Sequence, residues 1–308
     1  MKATDQSARA ARKGTSMNYA AWRQKNLTDL FGKIAVVTGA NSGLGFEVAY
    51  GLAERGAALV LACRDSKKAE DARARLIAAF PHAAVDFLPL DLASLSSVTG
   101  FAAELKNKHP QIDLFVHCAG VYYPREKTTA DGYPMTVGVN ALGTVRLSEA
   151  TLPLLSKDGR AVFVTSLTDR RGRIGTSPLA DDADNRAAYC RSKYLLSGYV
   201  CQKAAERGEK GPIFVAAHPG VTKTPLLSRG KANVPLGARI SHAFLYLFTH
   251  SPEKAALSIL TAAAGPAVKN GDYIGPRGPF GVSGYPHKTT FCRRIRRAVQ
   301  TKSADFIL

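Results

Sequence analysis

Six short apolar runs, Ile34–Val37, Leu59–Ala62, Val85–Leu88, Leu114–His117, Ala161–Thr165 and Ile213–Ala217, alternate along the chain with longer stretches of helical periodicity. An apolar run without polar alternation is buried on both strand faces, so the pattern predicts a parallel sheet covered by helices on either side, an α/β fold. The intervening helices are expected over residues 43–55, 66–79, 95–108, 132–155 and 188–207, with stops at Gly56, Pro81, Pro110 and Gly208. A seventh strand fits near Asp272–Ile274. No flexible linker and no repeat beyond the alternation interrupts the series, so 308 residues are read as one domain.

Composition narrows the class further. With 45% apolar and 21% charged residues the chain is neither disordered nor collagen-like. The five cysteines lack CxxC spacing and no HExxH occurs, which leaves neither a disulfide framework nor a metal motif. No apolar run reaches the ~18 residues of a membrane span. The formal charge of +18 is concentrated at the ends: residues 1–28 and 288–308 each carry six Lys/Arg and one Asp. Without interleaved aromatics or a recognition motif these ends are expected to be solvated, with no nucleic-acid partner. Within the second, Phe291, Ile295 and Val299 lie four apart among Arg293, Arg294, Arg296 and Arg297, an amphipathic helix pattern whose ordinary role is docking on the core. The expected division is a basic N-terminal extension (1–28), the main domain (29–287) and a basic amphipathic segment (288–308). Residues 1–28 lack the apolar stretch of a signal peptide, and a cytoplasmic location is expected, although Arg9, Arg12 and Arg23 faintly resemble an organellar transit peptide.

The first strand runs into Thr38-Gly39-Ala40-Asn41-Ser42-Gly43-Leu44-Gly45 and then a helix, so the glycines fall where backbone can approach a ligand at a helix N-terminus. A pyrophosphate is the natural occupant, which points to a dinucleotide. The second strand ends in Cys63-Arg64-Asp65, where the adenosine ribose would lie. An acid at the strand tip would accept from the 2′-hydroxyl of NAD(H); Cys63 cannot, whereas Arg64 offers a planar fork for a 2′-phosphate, so NADPH is expected. The alternative turns Asp65 inward to the ribose. Asp91, followed by Leu92 at the end of the third strand, is placed to accept from the adenine amino group or to cap the next helix.

In Tyr189-Cys190-Arg191-Ser192-Lys193 a phenol and an ammonium are four apart, on one helix face. Tyrosine has an ordinary pKa of about 10. A cation about 4 Å away contributes on the order of 4 kcal/mol at an effective dielectric of 20, enough for about three units of lowering before solvation losses. The glycine loop, Asn140 in Val139-Asn140-Ala141-Leu142-Gly143, Ser166 after Val162-Phe163-Val164-Thr165, and Tyr189 with Lys193 occur in that order. This resembles the short-chain dehydrogenase/reductase family over roughly residues 29–287. Ala62-Cys63-Arg64-Asp65, Ala188–Lys193 and His218-Pro219-Gly220 look most like its retinol-dehydrogenase and protochlorophyllide-reductase-like branch.

The resemblance implies a Rossmann-type doubly wound sheet of about seven parallel strands and a tetrad of Asn140, Ser166, Tyr189 and Lys193. It also implies a nicotinamide cofactor held by Gly39, Asn41, Ser42, Gly43, Leu44, Gly45, Arg64, Asp91, Leu92, Ala119, Gly120, Asn140, Tyr189, Lys193 and the run Pro219, Gly220, Thr222, Thr224. Ser166 would bond the substrate oxygen, Tyr189 deliver the proton, Lys193 lower the phenol and hold the nicotinamide ribose, and Asn140 support a proton-resupplying water chain. The expected activity is reversible NADPH-dependent reduction of a carbonyl on a rather apolar small molecule, with no metal. C=C reduction of an enone and NADPH binding without turnover are the alternatives. Residues 225–250, with Leu226, Leu227, Phe244, Leu245, Tyr246 and Phe248, would form a substrate lid or a helix buried against the core or a partner. A homo-oligomer is implied by resemblance alone. Two departures stand: His117-Cys118-Ala119-Gly120 replaces the usual Asn-Asn-Ala-Gly, and the N-terminal extension is basic where membrane-bound relatives carry a hydrophobic anchor.

Overall fold

The architecture comes from a computed structural model that describes residues 19–122, 124–173, 179, 184–222, 250–301 and 306. The apolar runs all form strands: β1 (Ile34–Thr38), β2 (Ala58–Cys63), β3 (Val85–Pro89), β4 (Ile112–His117), β5 (Leu155–Val164) and β6 (Ile213–Ala217). With β7 (Tyr273–Pro276) and β8 (Pro286–Thr289) they make one eight-stranded sheet in the order β3-β2-β1-β4-β5-β6-β7-β8. β1 through β7 are parallel, and β8 closes the edge antiparallel to β7. The strand order reverses at β1, which lies between β2 and β4, so a crevice opens at the carboxyl ends of these strands.

Helices cover both faces, which is why the strands carry no polar alternation. On one side α2 (Gly43–Glu54), α3 (Ser66–Ala79) and the helix Pro252–Ala264, here α8, pack over Val37, Leu59, Leu61 and Val215. On the other, α4 (Leu95–Lys108), α5 (Met135–Val137), α6 (Thr144–Thr151) and α7 (Asn185–Arg207) pack over Val36, Phe115, Phe163 and Phe214. The expected helix 132–155 is composite: a π-helical segment, Gly138–Gly143, separates α5 from α6, and β5 begins at Leu155, well before the expected Ala161. The early start comes with a register break, because Ile112 pairs with Leu155 and Leu114 with Arg160.

The N-terminal end differs from a solvated one where it is described, while the C-terminal helix docks on the core as its amphipathic pattern suggests. Residues 19–26 form α1, whose Arg23 is buried and paired with Glu54 of α2, Nη2 donating to Oε1 at 3.0 Å, and lies 3.7 Å from Glu253 of α8. Leu27 and Leu30 then enter the core. At the other end, the boundary expected after residue 287 falls inside β8, where Lys288 pairs with Asp272. The amphipathic pattern forms α9 (Arg293–Gln300), and Phe291 and Ile295 are buried against α7 together with Phe306. The expected lid, 225–250, lies outside the described residues apart from His250, as does Thr224. Among the described residues no helix is long and apolar enough to cross a membrane, and no cluster of three or more His, Cys, Asp or Glu could hold a metal.

Candidate active site

The crevice is built first from β1. The Thr38 hydroxyl accepts from the Cys118 and Ala119 N–H groups, both at 2.9 Å, and so clips the end of β1 to the loop after β4. This tie uses the main-chain N–H of residue 118 and so is kept whatever side chain stands there. Gly39 then turns with φ +66°, and a Cβ there would sit 3.1 Å from Ala119 Cα. A Cβ on Gly45 would come within 2.4 Å of the Gly39 carbonyl oxygen, so this glycine lets α2 start directly under the turn. Ser42, at the N-cap of α2, makes no side-chain capping bond, and the first-turn N–H groups are left to a ligand. Cys63 lies under the same loop, its sulfur facing the Ala40 and Asn41 N–H groups, and burial pushes its thiol up to about 11.

At the tip of β2 the two readings of Arg64 and Asp65 separate. Asp65 is the N-cap of α3, accepting from Lys68 N at 3.1 Å and Lys68 Nζ at 2.6 Å; the lysine holds its carboxyl below the usual range. Arg64 is exposed, with Nη1 3.9 Å from Asp91 Oδ2. Asp91 Oδ1 accepts from Ala93 N at 2.9 Å, while the cap of α4 is Ser94, which accepts from Ser97 N. Asp91 therefore does not cap that helix, and its second oxygen faces the crevice edge beside Arg64. Leu92 is buried behind it.

On the other side of the switch point, Asn140 lies in the π-helical segment, fully buried. Its Oδ1 accepts from Val121 N at 2.7 Å, and its Nδ2 donates to Val121 O at 2.9 Å and to Ser192 Oγ at 3.2 Å. It thus ties the loop carrying Ala119 and Gly120 to α7; a Cβ on Gly120 would lie 3.2 Å from Asn140 Oδ1 and 3.8 Å from Lys193 Nζ. Asp184 starts α7 by accepting from Arg186 N and Ala187 N, and one face of the helix presents Tyr189 and Lys193. The Lys193 ammonium is buried and donates to Val164 O at 2.7 Å. Burial brings its pKa down to about 8, with Cys118 and Asp169 pushing the other way.

Ser166 caps a short 3-10 helix, Leu167–Arg171, and its Oγ accepts from Thr168 Oγ1 at 3.0 Å and Thr168 N at 3.3 Å. Thr168 donates to Ser166 Oγ from two sides, which leaves the Ser166 proton free to point away from Thr168, toward the side where Tyr189 lies. Burial pushes Tyr189 up to about 12, and Ser166 is the group pulling it down. The lowering by Lys193 expected from the i,i+4 spacing is absent in this arrangement. The ammonium is turned onto the Val164 carbonyl with Nζ 5.9 Å from the phenol ring centroid, and desolvation of the ring dominates. Tyr122 packs on Tyr189 at 4.7 Å between centroids.

After β6, Pro219 O accepts from His250 Nε2 at 2.6 Å, Gly220 turns with φ +74°, and Val221 N donates to Val282 O. A Cβ on Gly220 would meet that same Val282 oxygen at 2.2 Å. Thr222 is buried, and its hydroxyl has no hydrogen-bond partner among the described residues. An orphaned buried hydroxyl on one wall and an uncapped helix start on the other fit a dinucleotide laid across the carboxyl ends of the strands. Sequence reasoning missed three residues that shape the site: Thr168, which orients Ser166, and Asp169 and Tyr273 beneath it. Only proximity to Ser166 signals the first two, and nothing local signals Tyr273.

Fold, crevice and the Ser/Tyr/Lys grouping define a nucleotide-binding oxidoreductase of the doubly wound class. The profile of the short chain dehydrogenase family matches residues 33–234. Retinol dehydrogenase 13 of Homo sapiens is 35% identical over 234 residues, covering 73% of this chain and 70% of its own. Among solved structures, an uncharacterized protein of Mycobacterium paratuberculosis superposes with TM-score 0.70 at 28% identity, covering 90% of this chain and 92% of its own. The NADP active-site complex of RhlG from Pseudomonas aeruginosa superposes with TM-score 0.65 at 25% identity, covering 82% and 98%. The chain belongs to the short-chain dehydrogenase/reductase family, in its retinol-dehydrogenase-like branch.

Proposed function

We propose that this protein reduces a ketone or aldehyde on a rather apolar small molecule to the alcohol, reversibly, with NADPH as the reductant. The observation that carries the reading is the Ser166–Tyr189 pair: two hydroxyls meet at the carboxyl edge of the sheet, with the Ser166 proton directed outward by Thr168. A carbonyl oxygen entering there gains a donor from each as negative charge grows on it. NADPH, held by the glycine loop, Arg64 and Thr222, would supply the hydride. Burial keeps Tyr189 protonated, which is the form that donates a proton to the growing alkoxide. Lys193 is placed by Val164 beside Gly120 and serves the nicotinamide ribose and the proton supply; Asn140 holds the Val121 backbone so that this side of the crevice keeps its shape.

Preference for the phosphorylated cofactor is supported by the division of labour at β2. Asp65, the acid that takes the ribose 2′-hydroxyl in the NAD(H) reading, is occupied with Lys68, whereas Arg64 is exposed and only loosely paired. RhlG, of the same fold, is a protein solved with NADP, and the human relative's name makes retinoids a sensible part of a substrate panel.

The test is NADPH oxidation by the full chain over ketones, aldehydes including all-trans-retinal, and enones, with Tyr189→Phe alongside. Carbonyl turnover that falls about 100-fold or more in the variant, with NADPH affinity nearly kept, is the expected result. Oxidation with enones alone, or equal turnover by Tyr189→Phe, would overturn it.

A further inference from the structure

Asp169 is a carboxyl with nearly no solvent contact, 1% exposed, three residues past Ser166. Its Oδ2 accepts from Ser197 Oγ at 2.8 Å and from the Tyr273 hydroxyl at 2.9 Å, while Oδ1 has no hydrogen-bond partner among the described residues. Thr165, next to Ser166, donates to the same Tyr273 oxygen at 2.9 Å. Ser197 stands one turn beyond Lys193 on the same face of α7. Two consecutive turns of this helix are thus moored to the end of β5 and the segment after it, Lys193 through Val164 and Ser197 through Asp169.

Two hydroxyl donors do not require a charge. An amide in this place would accept the same two bonds without the desolvation cost of a buried carboxylate. A buried anion is worth that cost where a buried cation needs it, and the cation at hand is Lys193. Three groups act on the ammonium from the elements packed against it: Cys118 after β4, Tyr189 on its own helix, and Asp169, which is bonded to Ser197 one turn further along that helix. Burial pushes the Cys118 thiol and the Tyr189 phenol each up to about 12, so both are neutral at working pH. Asp169 is the remaining acid: burial pushes its carboxyl up, while the hydroxyls of Ser197 and Tyr273 and the neighbouring Arg170 act to keep it ionised. On its own other side it faces Arg170, and Tyr273 in turn packs against His218, whose imidazole burial brings down to about 4, hence neutral.

We infer that Asp169 is a positioning residue of the reductase site: its carboxylate, wedged between Ser197 and Tyr273, keeps Lys193 charged and holds α7 in register with Ser166. The inference rests on the carbonyl-reductase reading for its consequence in turnover, but the charge on Lys193 is measurable without any substrate. The decisive variant is Asp169→Asn, which keeps the shape and an acceptor and removes the charge; Ser197→Ala, which keeps the charge and removes a mooring, is its counterpart.

The first readout is the Lys193 side-chain titration by NMR in lysine-labelled protein, assigned with Lys193→Arg. Asp169→Asn should lower its midpoint by about one pH unit, whereas Ser197→Ala should leave it in place. The second is the pH profile of kcat with whichever carbonyl the wild type reduces: its alkaline limb should move down by about the same amount in Asp169→Asn only. An unmoved Lys193 midpoint in a folded Asp169→Asn protein, or a fall in kcat equal at every pH, would overturn the inference. If the wild type reduces no carbonyl, the function proposed above fails, and the NMR titration still decides the role of Asp169.

Discussion

Arg64 and Asp65 are neighbours in the chain with opposite fates. Asp65 is consumed by the start of α3 and by Lys68, while Arg64 stands exposed beside Asp91 at the mouth of the crevice. A charge-assisted contact to a 2′-phosphate contributes about 1.5–3 kcal/mol, so Arg64→Ala should weaken NADPH binding about 10- to 100-fold. NADH affinity should change little, and fluorescence titration with both cofactors checks the contrast. The residue types and order of the glycine loop, Ser166, Tyr189 and Lys193 were legible in the sequence because each sits at a strand end or on a helix face of known period. The direction of the Ser166 proton was not legible, since it depends on Thr168 folding back in a 3-10 turn. Nor was the state of the phenol: spacing gives a nearby cation, but only packing reveals that burial outweighs it at Tyr189.

Among the elements, α7 shows how far periodicity reaches. Its span follows from pattern and caps, with Asp184 at one end and Gly208 at the other. Gly198 in its interior costs about 1 kcal/mol relative to Ala in helix propensity and has no local explanation. The structure supplies one: a Cβ there would lie 2.2 Å from the Phe306 ring, which is fully buried against this point and against Tyr194. Phe306→Ala should therefore lower unfolding free energy by about 3–5 kcal/mol, measurable by urea denaturation, with the helix content of the native protein kept. The π-helical segment is the converse case. A helix was expected across it, but the extra residue per turn that brings Asn140 to Val121 is set by partners on β4's loop and on α7, not by local propensity.

Across the whole molecule, burial of histidines couples the fold to pH. His117 is stacked between Phe115 and Phe163, at 4.3 and 4.4 Å, with neither ring nitrogen bonded among the described residues. Its pKa falls to about 3 through burial, and that of His218 to about 4. As pH drops below the ordinary value of about 6.5, the unfolded chain takes up protons that the native state refuses, so stability declines from there down to the native pKa values. His117→Phe removes one such group. The variant should lose about 2 kcal/mol less than the wild type between pH 7 and 5, and its acid-unfolding midpoint should shift lower. Circular dichroism along a pH series measures both.

The parallel sheet, its helical cover and the position of the nucleotide crevice were determined by the sequence alone, because hydrophobic period and glycine placement act over a few residues. The tertiary structure decided what depends on contacts between distant segments. It closed the sheet with an antiparallel eighth strand, folded residues 19–30 and 288–300 into the body, and set Arg23 between Glu54 and Glu253. It also placed one carboxylate beneath α7, where neither spacing nor residue type announced it. Charge and protonation belong to this second group, since the dielectric and the partners around a side chain exist only once the chain has packed.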